Sequence, residues 1–471
     1  MKNNIEPVEL VIDSIAFQGA AVARKDDMVY FVKGGVPGDL VRADIIRKKR
    51  RYYEAEIAEV LEPSEHRIEP KCKYFGVCGG CSWQNLSYSE QLRWKKTHVS
   101  DALERIGKLK VPELKDTMPS PLEFNYRNKM EFSFGASRWL TKDEIVVDTE
   151  IEQKDFALGL HIPGRFDKVL DIEECHICPE IFVLILNRLR EKALEYGTSA
   201  YHSRRHTGYL RNVIFRNSLS SAELMVDLIT NAIGDKSDED FHNWFSHDLI
   251  KEFPGITTLI HTVNTTVSPV STGDSTVLKG FGFIIEKVKD INFKISHTSF
   301  FQTNSHQLGR FLDIVRDYTQ IKNNEIVWDL YCGTGFFTLT LAECAKEIYG
   351  FELVASAISD AKMNAELNGL TNVHFAVADL HSKLGMAQLL SLQKPDVIII
   401  DPPRAGMHPD LVETVLNSQA KRIVYVSCNP ATQARDCELL SAVYSIVSVQ
   451  PLDMFPHTYH VESVALLEKK D

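Results

Sequence analysis

A regular alternation of strand-like and helix-like segments from Glu325 onward constrains the fold of this chain more than any other feature. Five segments typical of strands occur here, most of them separated by segments with helical periodicity: EIVWDL, EIYGFE, VHFAVAD, DVIIID and RIVYVS. This alternation predicts a parallel sheet with helices on both faces. Two further strands, SIVSVQPL and VESVALLEK, are joined too closely for a helical crossover, so we expect them to pair antiparallel.

Polar residues stand at the carboxyl ends of these strands, where ligands bind in open α/β sheets. The glycine-bearing turn Asp329–Gly335 follows the first strand, Glu352 ends the second, Asp379 the third and Asp401 the fourth, and Cys428 follows the fifth. A carboxylate that ends the second strand is placed to accept hydrogen bonds from ribose hydroxyls. No third glycine and no lysine follow the turn, which disfavours a dinucleotide or nucleoside triphosphate. We therefore predict an α/β, class I (Rossmann-like) S-adenosylmethionine (SAM) methyltransferase domain over residues 296–471.

The motif Asp401-Pro402-Pro403-Arg404 is similar to the DPPY loop of amino-group methyltransferases, but Arg404 replaces the aromatic residue. This replacement favours methylation of carbon. Because C5 of uracil is a poor nucleophile, a thiolate must first add at C6, and we predict that Cys428 does so. Glu462 begins the last strand at the same edge and is predicted to remove the C5 proton. The thiol then requires either a lowered pKa or a nearby proton acceptor. A structural core cysteine and a surface carboxylate are the alternative interpretations.

Five short alternating strands between Glu9 and Leu61 predict a small closed barrel of the OB type over residues 1–62. The basic run Arg47–Arg51, followed by Tyr52 and Tyr53, fits phosphate contacts and base stacking, with a solvated loop as the alternative. Residues 1–110 hold 19 Lys and Arg against 16 Asp and Glu, whereas the whole chain has a formal net charge of −11. The barrel segment is therefore the favoured place for nucleic-acid contacts.

Composition excludes several other classes. Nine cysteines in 471 residues are too few for a secreted disulfide scaffold, so we interpret them as metal ligands, nucleophiles or core residues. No targeting segment and no long uncharged apolar run is present, so we expect a cytoplasmic protein with no membrane partner, and a monomer. Residues 63–295 show mainly strands with occasional helices, and we assign them to a central domain.

Several strings together closely resemble the RumA/TrmA family of RNA uridine C5 methyltransferases: FFQTN, DLYCGTGFFTLTLA, DPPRAG, VSCNPATQARD and FPHTYHVESVALLEK. The resemblance extends over the whole chain, with the barrel similar to a TRAM domain. It implies that SAM is held by Gln302, Tyr331, Glu352 and Asp401, with Asp379 near the adenine. It also implies that Cys428 is the nucleophile, that Glu462 is the base, and that Phe300 packs on a flipped-out uracil.

The motif Cys72-x5-Cys78-Gly79-Gly80-Cys81 resembles the iron–sulfur motif of this family. The resemblance implies a [4Fe–4S] cluster with Cys175 as the fourth ligand. The family usually has Cys-Pro at that place, whereas this chain reads Cys175-His176-Ile177-Cys178, so Cys178 is the alternative ligand. Spacing alone equally permits zinc.

The resemblance also bears on the RNA substrate. The tRNA branch of the family generally lacks both the TRAM domain and the cluster, so their presence favours 23S ribosomal RNA (rRNA). The alternatives are a tRNA uridine C5 methyltransferase, a catalytically silent RNA-binding or folding factor, and an amino-group methyltransferase of the DPPY type.

Overall fold

The computed structural model describes residues 6–141, 144–145, 154–268 and 270–471. Internal contacts divide the chain into two units. The first unit comprises Met1–Gly76, Gly80–Glu123 and Asp401–Asp471, and the second comprises Val77–Gly79 and Phe124–Ile400. Residues 1–5 of the predicted barrel segment and 146–153 of the predicted central domain lie outside the described residues. The predicted boundaries at 62/63 and 295/296 stay predictions.

The first unit begins with a closed five-stranded barrel, which confirms the expected fold of this segment. Its strands are β1 (Val8–Ile15), β2 (Ala21–Lys25), β3 (Met28–Lys33), β4 (Leu40–Lys48) and β5 (Tyr52–Glu62), in the order β1-β2-β3-β5-β4. Side chains that alternate along the strands fill its interior, among them Leu10, Ile12, Ala23, Val32 and Val41. The basic run 47–51 comprises the last two residues of β4 and the three residues that connect it to β5, and most of these residues are exposed.

After the barrel, the first unit contains helix α1 (Tyr88–Asp101), a π-helical turn (Ala102–Ile106) and the short strand β6 (Glu113–Leu114). Residues 88–106 thus form one α-helix with a π turn at its end.

The second unit contains a seven-stranded sheet in the order β13-β12-β11-β10-β7-β8-β9. The strands are β7 (Lys129–Gly135), β8 (Ala157–Ile162), β9 (Arg165–Asp171), β10 (Leu210–Asn217), β11 (Leu224–Thr230), β12 (Ile256–Val263) and β13 (Asp274–Lys279). Helices α2 (Glu180–Tyr196), α3 (Lys236–His247) and α4 (Leu249–Glu252) lie between them in sequence. A separate hairpin follows, formed by β14 (Phe283–Val288) and β15 (Ile291–Ser296).

Four parallel strands complete the second unit, in the order β18-β17-β16-β19. They are β16 (Ile326–Leu330), β17 (Glu347–Glu352), β18 (Val373–Val377) and β19 (Val397–Ile400), with helices α5 (Ser305–Thr319), α6 (Phe336–Thr340), α7 (Ala355–Leu367) and α8 (Lys383–Leu390). Every residue of β16 and β19 is buried, as expected for parallel strands covered on both faces.

The first unit resumes at Asp401 with α9 (Pro409–Ser418), β20 (Arg422–Ser427), α10 (Pro430–Leu440), β21 (Tyr444–Leu452) and β22 (Glu462–Lys469). The last two strands pair antiparallel, as predicted. Strand β22 also pairs antiparallel with β20, so it lies between β20 and β21, and β6 pairs with the outer side of β21. Among the described residues, no helix is long and apolar enough to cross a membrane.

Candidate active site

The turn between β16 and α6 is shaped for the close approach of a ligand. Tyr331 and Gly333 have φ values of 67° and 55°, in the left-handed region. A Cβ atom added at Gly333 would meet no atom within 4 Å, so this part of the turn borders open space. The buried Asp329 carboxylate braces the turn because it accepts hydrogen bonds from the Thr338 amide (3.0 Å) and hydroxyl (2.6 Å). Burial raises the pKa of Asp329 to about 7.

Two carboxylates lie at the ends of the neighbouring strands β17 and β18. Glu352 accepts hydrogen bonds from the amides of Gly333 (3.3 Å) and Val354 (3.0 Å), which fixes its side chain beside the turn. Asp379 is exposed and accepts a hydrogen bond from the His381 amide (3.0 Å). Three predicted donor-binding residues therefore lie at the carboxyl ends of the adjacent strands β16, β17 and β18: Tyr331, Glu352 and Asp379.

Gln302, another predicted donor-binding residue, lies in a segment whose backbone accepts hydrogen bonds from other parts of the second unit. The Asn128 side chain donates to the Gln302 carbonyl oxygen (3.1 Å), and the Asn128 amide donates to that of Thr303 (2.8 Å). The buried Arg216 donates to the Ser299 carbonyl oxygen (2.7 Å). These bonds fix the backbone on both sides of the FF pair.

The two phenylalanines of this segment have opposite environments. Phe301 is buried, with its ring centroid 5.4 Å from that of Phe293 and 6.1 Å from that of Phe336. Phe300 is 69% exposed. The buried ring anchors the segment, so the exposed ring is available to stack on a base.

Cys428 and Glu462, both in the first unit, stand next to each other across two antiparallel strands. Ser427 of β20 pairs with Ser463 of β22, so Cys428 and Glu462 are the next opposed positions in this register. Glu462 is buried and Cys428 is partly exposed. The structure thus brings the predicted nucleophile and base together, by the antiparallel return expected from the sequence.

The Asp401–Gly406 loop is tied to the start of α10, directly after Cys428. The Arg404 carbonyl oxygen accepts hydrogen bonds from the Asn429 side chain (2.9 Å) and the Thr432 hydroxyl (3.2 Å). Gly406 has φ 78°, and a Cβ atom there would lie 2.6 Å from the Asp436 carboxylate, so the loop requires glycine. These contacts keep Arg404 close to Cys428.

The charges around Cys428 work against a thiolate in the free protein. Burial, together with the charges of Glu462 and Asp401, raises the pKa of Cys428 to about 11. Arg404 opposes this rise through its charge and through a hydrogen bond to the sulfur atom. Burial and the charge of Asp401 also raise the pKa of Glu462 well above its usual range, again opposed by Arg404. Of the two possibilities stated for Cys428, these surroundings favour a nearby proton acceptor over a lowered pKa.

Sequence reasoning missed the network that supports the connection between β21 and β22. The buried Lys95 of α1 pairs with the buried Asp453 (Nζ–Oδ1 2.5 Å) and donates to the Phe455 carbonyl oxygen (3.0 Å). The Gln91 side chain accepts a hydrogen bond from the His457 amide (2.8 Å) and contacts its ring nitrogen Nδ1 at 3.2 Å. An aspartate inside the otherwise apolar string PLDMF was the available signal. This network fixes the segment that leads to Glu462.

The cysteines of the predicted cluster motif have hydrogen-bonded surroundings. In the first unit, the buried Gln84 side chain accepts from the Cys72 amide (3.1 Å) and donates to the Cys81 sulfur (3.3 Å). In the second unit, Cys178 is buried, and a hydrogen bond from its thiol holds the pKa of Cys175 below its usual range. Within the described residues, no three or more His, Cys, Asp or Glu side chains are assembled as a metal-binding group, so the four ligands, Cys72, Cys78, Cys81 and Cys175, stay predictions.

Comparisons with known proteins identify relatives of this chain that are RNA methyltransferases. A family model for tRNA (Uracil-5-)-methyltransferase matches residues 283–470. An uncharacterized RNA methyltransferase of Bacteroides thetaiotaomicron is 44% identical over 455 residues, which are 96% of this chain and 100% of the relative. Another from Chlorobaculum tepidum is 42% identical, covering 98% of this chain and 96% of the relative.

A solved structure shares the fold over nearly the full length. It is that of the Pyrococcus abyssi tRNA (uracil-54, C5)-methyltransferase in complex with S-adenosyl-L-homocysteine. Its chain is 29% identical, with a TM-score of 0.74, and the match covers 98% of this chain and 100% of the other.

The glycine-bearing turn, the carboxylates at successive strand ends and the sheet that carries them define a class I SAM-dependent methyltransferase with an N-terminal five-stranded barrel. Within this class, the opposed Cys428 and Glu462 favour methylation of uracil C5. The chain belongs to the family of SAM-dependent RNA (uracil-5-)-methyltransferases.

Proposed function

We propose that this protein methylates C5 of a specific uridine in 23S rRNA through a covalent bond between the Cys428 sulfur and C6. The observation that supports this proposal best is the opposition of Cys428 and Glu462 across β20 and β22. A nucleophile for C6 and a base for the C5 proton are the two groups that the reaction requires. Asp401 and Arg404 complete this group of charges.

The residues proposed to hold SAM fit this donor. Glu352 is fixed beside the open face at Gly333, where its free lone pairs suit ribose hydroxyls. Gln302, Tyr331 and Asp379 complete the set in the second unit, and Asp401 is the member from the first unit. When bound, SAM supplies an electrophilic methyl group. None of these roles follows from the fold alone.

The protein groups then act in sequence. Cys428, which is partly exposed, releases its proton to solvent and adds to C6 as the thiolate, which Arg404 stabilises. The electron pair displaced from the C5–C6 double bond makes C5 nucleophilic toward the methyl group. Glu462 next takes the C5 proton, the double bond re-forms, and the C6–sulfur bond breaks to return the thiolate. Phe300 is proposed to pack on the extruded uracil, because its ring is exposed and its backbone is fixed.

We also propose a [4Fe–4S] cluster held by Cys72, Cys78, Cys81 and Cys175. Four thiolates form a sufficient ligand set. The hydrogen bond from Gln84 to the Cys81 sulfur supports this proposal, because hydrogen bonds to sulfur tune such clusters. Zinc is the alternative metal.

A second substrate class is supported by a specific observation. The P. abyssi enzyme, named for uracil 54 of tRNA, matches 98% of this chain, so a chain of this length is compatible with a tRNA substrate. Labelled SAM offered to unmodified 23S rRNA fragments and to unmodified tRNA decides between them. The proposal expects 5-methyluridine in 23S rRNA, and methylation of tRNA alone would contradict it. Binding without methylation of any RNA would instead indicate a silent RNA-binding factor.

A further inference from the structure

The seven-stranded sheet of the second unit ends at β9, and this edge carries cations beside an exposed aromatic ring. Phe166, the second residue of β9, is 71% exposed. Cationic side chains come from β9 itself and from the loop between α2 and β10. The β9 patch, as we name it, consists of Arg165, Phe166, Lys168, Arg204 and Arg205.

Ion pairs hold the two segments of the β9 patch side by side. The Asp167 carboxylate contacts Arg165 Nε at 3.2 Å through one oxygen and Arg204 Nη2 at 2.7 Å through the other. Lys168 donates to the Ser137 hydroxyl (2.7 Å). The two segments are therefore brought together through Asp167, although they are far apart in sequence.

The loop that carries Arg204 and Arg205 has a defined shape. The hydroxyl of Tyr201 and the ring nitrogen Nδ1 of His206 lie 3.0 Å apart. Gly208 has φ 101°, and a Cβ atom there would lie 2.2 Å from the Ala200 carbonyl oxygen, so the loop requires glycine. A fixed loop presents its two arginines at a small entropic cost.

The charges of the β9 patch do not cancel. Two of its four cations, Arg165 and Arg204, pair with the single carboxylate Asp167, whereas the chain as a whole has a net charge of −11. In the part of the chain that the structure describes, the Arg205 side chain forms no ion pair. Charged residues on an edge strand often serve only to prevent strand pairing, but an exposed phenylalanine works against that purpose. The unpaired positive charge and the exposed ring together therefore favour a partner that has negative charge and flat apolar faces.

We propose that the β9 patch binds an unpaired segment of the RNA substrate, with phosphates on the arginines and a base stacked on Phe166. Cationic side chains beside an aromatic ring are the components with which proteins hold single strands. Double-stranded RNA keeps its base faces stacked and offers none to the ring. This inference rests on the proposed function, because it assigns a second contact to the same RNA.

Two substitutions test the β9 patch with little effect on folding: Phe166→Ala removes an exposed ring, and Arg205→Gln removes an unpaired cation. The matched controls are Phe281→Ala, where the ring is 82% exposed, and Lys251→Gln on the exposed side of α4. Kd is measured by filter binding over a range of salt concentrations, and KM is measured with the unmodified RNA that wild type methylates.

We expect Phe166→Ala to weaken RNA binding by about fivefold or more, as loss of one stacked base does. Arg205→Gln should make the plot of log K against log salt less steep by about one, and both losses should raise KM for the RNA. The controls should bind as wild type. If both patch variants match wild type while wild type makes 5-methyluridine, the β9 patch proposal is overturned and the proposed function stands. If wild type methylates no RNA, the proposed function fails first.

Discussion

Lys95 and Asp453 form an ion pair that is completely buried, with Nζ and Oδ1 2.5 Å apart. Lys95→Met would leave the Asp453 carboxylate buried without this cation, although the Tyr88 hydroxyl (3.0 Å) and the Phe455 amide (2.9 Å) would still donate to it. We expect the free energy of unfolding to fall by about 3–5 kcal/mol, measured by urea denaturation.

The neighbouring residue provides a matched control for this loss. Lys96 pairs with Asp116 at 2.7 Å, but that carboxylate is almost entirely exposed. Lys96→Met should therefore change the free energy of unfolding by less than about 1 kcal/mol. Equal losses of unfolding free energy in both variants would show that the loss comes from changing α1 and not from breaking the buried ion pair.

Trapping with a fluorinated substrate separates the roles of Cys428 and Glu462. Fluorine on C5 cannot leave as a proton, so wild-type protein with SAM and 5-fluorouridine RNA should form a covalent adduct, visible on a denaturing gel. Cys428→Ala should trap nothing. Glu462→Gln should accumulate a methylated covalent complex with ordinary RNA, because addition precedes proton removal. Normal turnover by Glu462→Gln would assign the base to another residue, and 5-methyluridine made by Cys428→Ala would exclude the covalent route.

The pKa of Cys428 predicts how its reactivity depends on pH. With a pKa of about 11, the thiolate is a small fraction near neutral pH and grows about tenfold per pH unit below that value. Alkylation of Cys428 by iodoacetamide, followed by mass spectrometry of its peptide, should therefore accelerate steadily as pH rises. Arg404→Gln removes the group that lowers the pKa, so alkylation should be slower at each pH, and Arg404→Lys should recover part of the rate. A plateau near neutral pH would show that the thiol is already activated.

Protein purified without oxygen tests the cluster. We expect about four iron and four sulfide per chain, a brown colour, and loss of both on exposure to air. Cys175→Ser should lower the iron content, whereas the matched variant Cys178→Ser should retain it, because Cys178 acts as a hydrogen-bond donor to Cys175. Stoichiometric zinc without iron would contradict the cluster. If Cys178→Ser lost iron and Cys175→Ser retained it, Cys178 would be the fourth ligand.

The basic run 47–51 is expected to contact phosphates, because it connects two strands of the barrel and most of its residues are exposed. Replacing all five residues with Gln should weaken RNA binding and make its salt dependence less steep by several units, measured by the same filter assay. An unchanged salt slope would mean that the run is only a solvated connection.

Local patterns were sufficient to predict much of this fold. The strands of the methyltransferase domain were recognisable because each is a short apolar run with a polar residue after it. The short antiparallel return predicted that Glu462 lies at the same edge as Cys428, whereas their direct opposition arises because β22 lies between β20 and β21. The helix after the glycine-bearing turn is short: α6 ends at Thr340, whose hydroxyl bonds back to the Phe336 carbonyl oxygen (2.6 Å), and a 3₁₀ turn follows.

Features that depend on distant residues were not predictable. Lys95 and Asp453 are 358 positions apart, so helical periodicity gave no sign that this lysine is buried. The raised pKa of Cys428 results from burial together with Glu462, Asp401 and Arg404, which belong to different segments. A single sequence shows the types of these groups but not their combined electrostatic effect.

The position of β22 has a consequence for how activity arises during synthesis. This strand is the last in the chain, yet it lies between β20 and β21, which are made before it. Until residues 462–469 have left the ribosome and entered that gap, β20 has no partner on this side, and Cys428 stands without Glu462 opposite. On the proposed mechanism, a nascent chain would therefore hold Cys428 without its proposed base, and turnover would begin only when this part of the sheet closes.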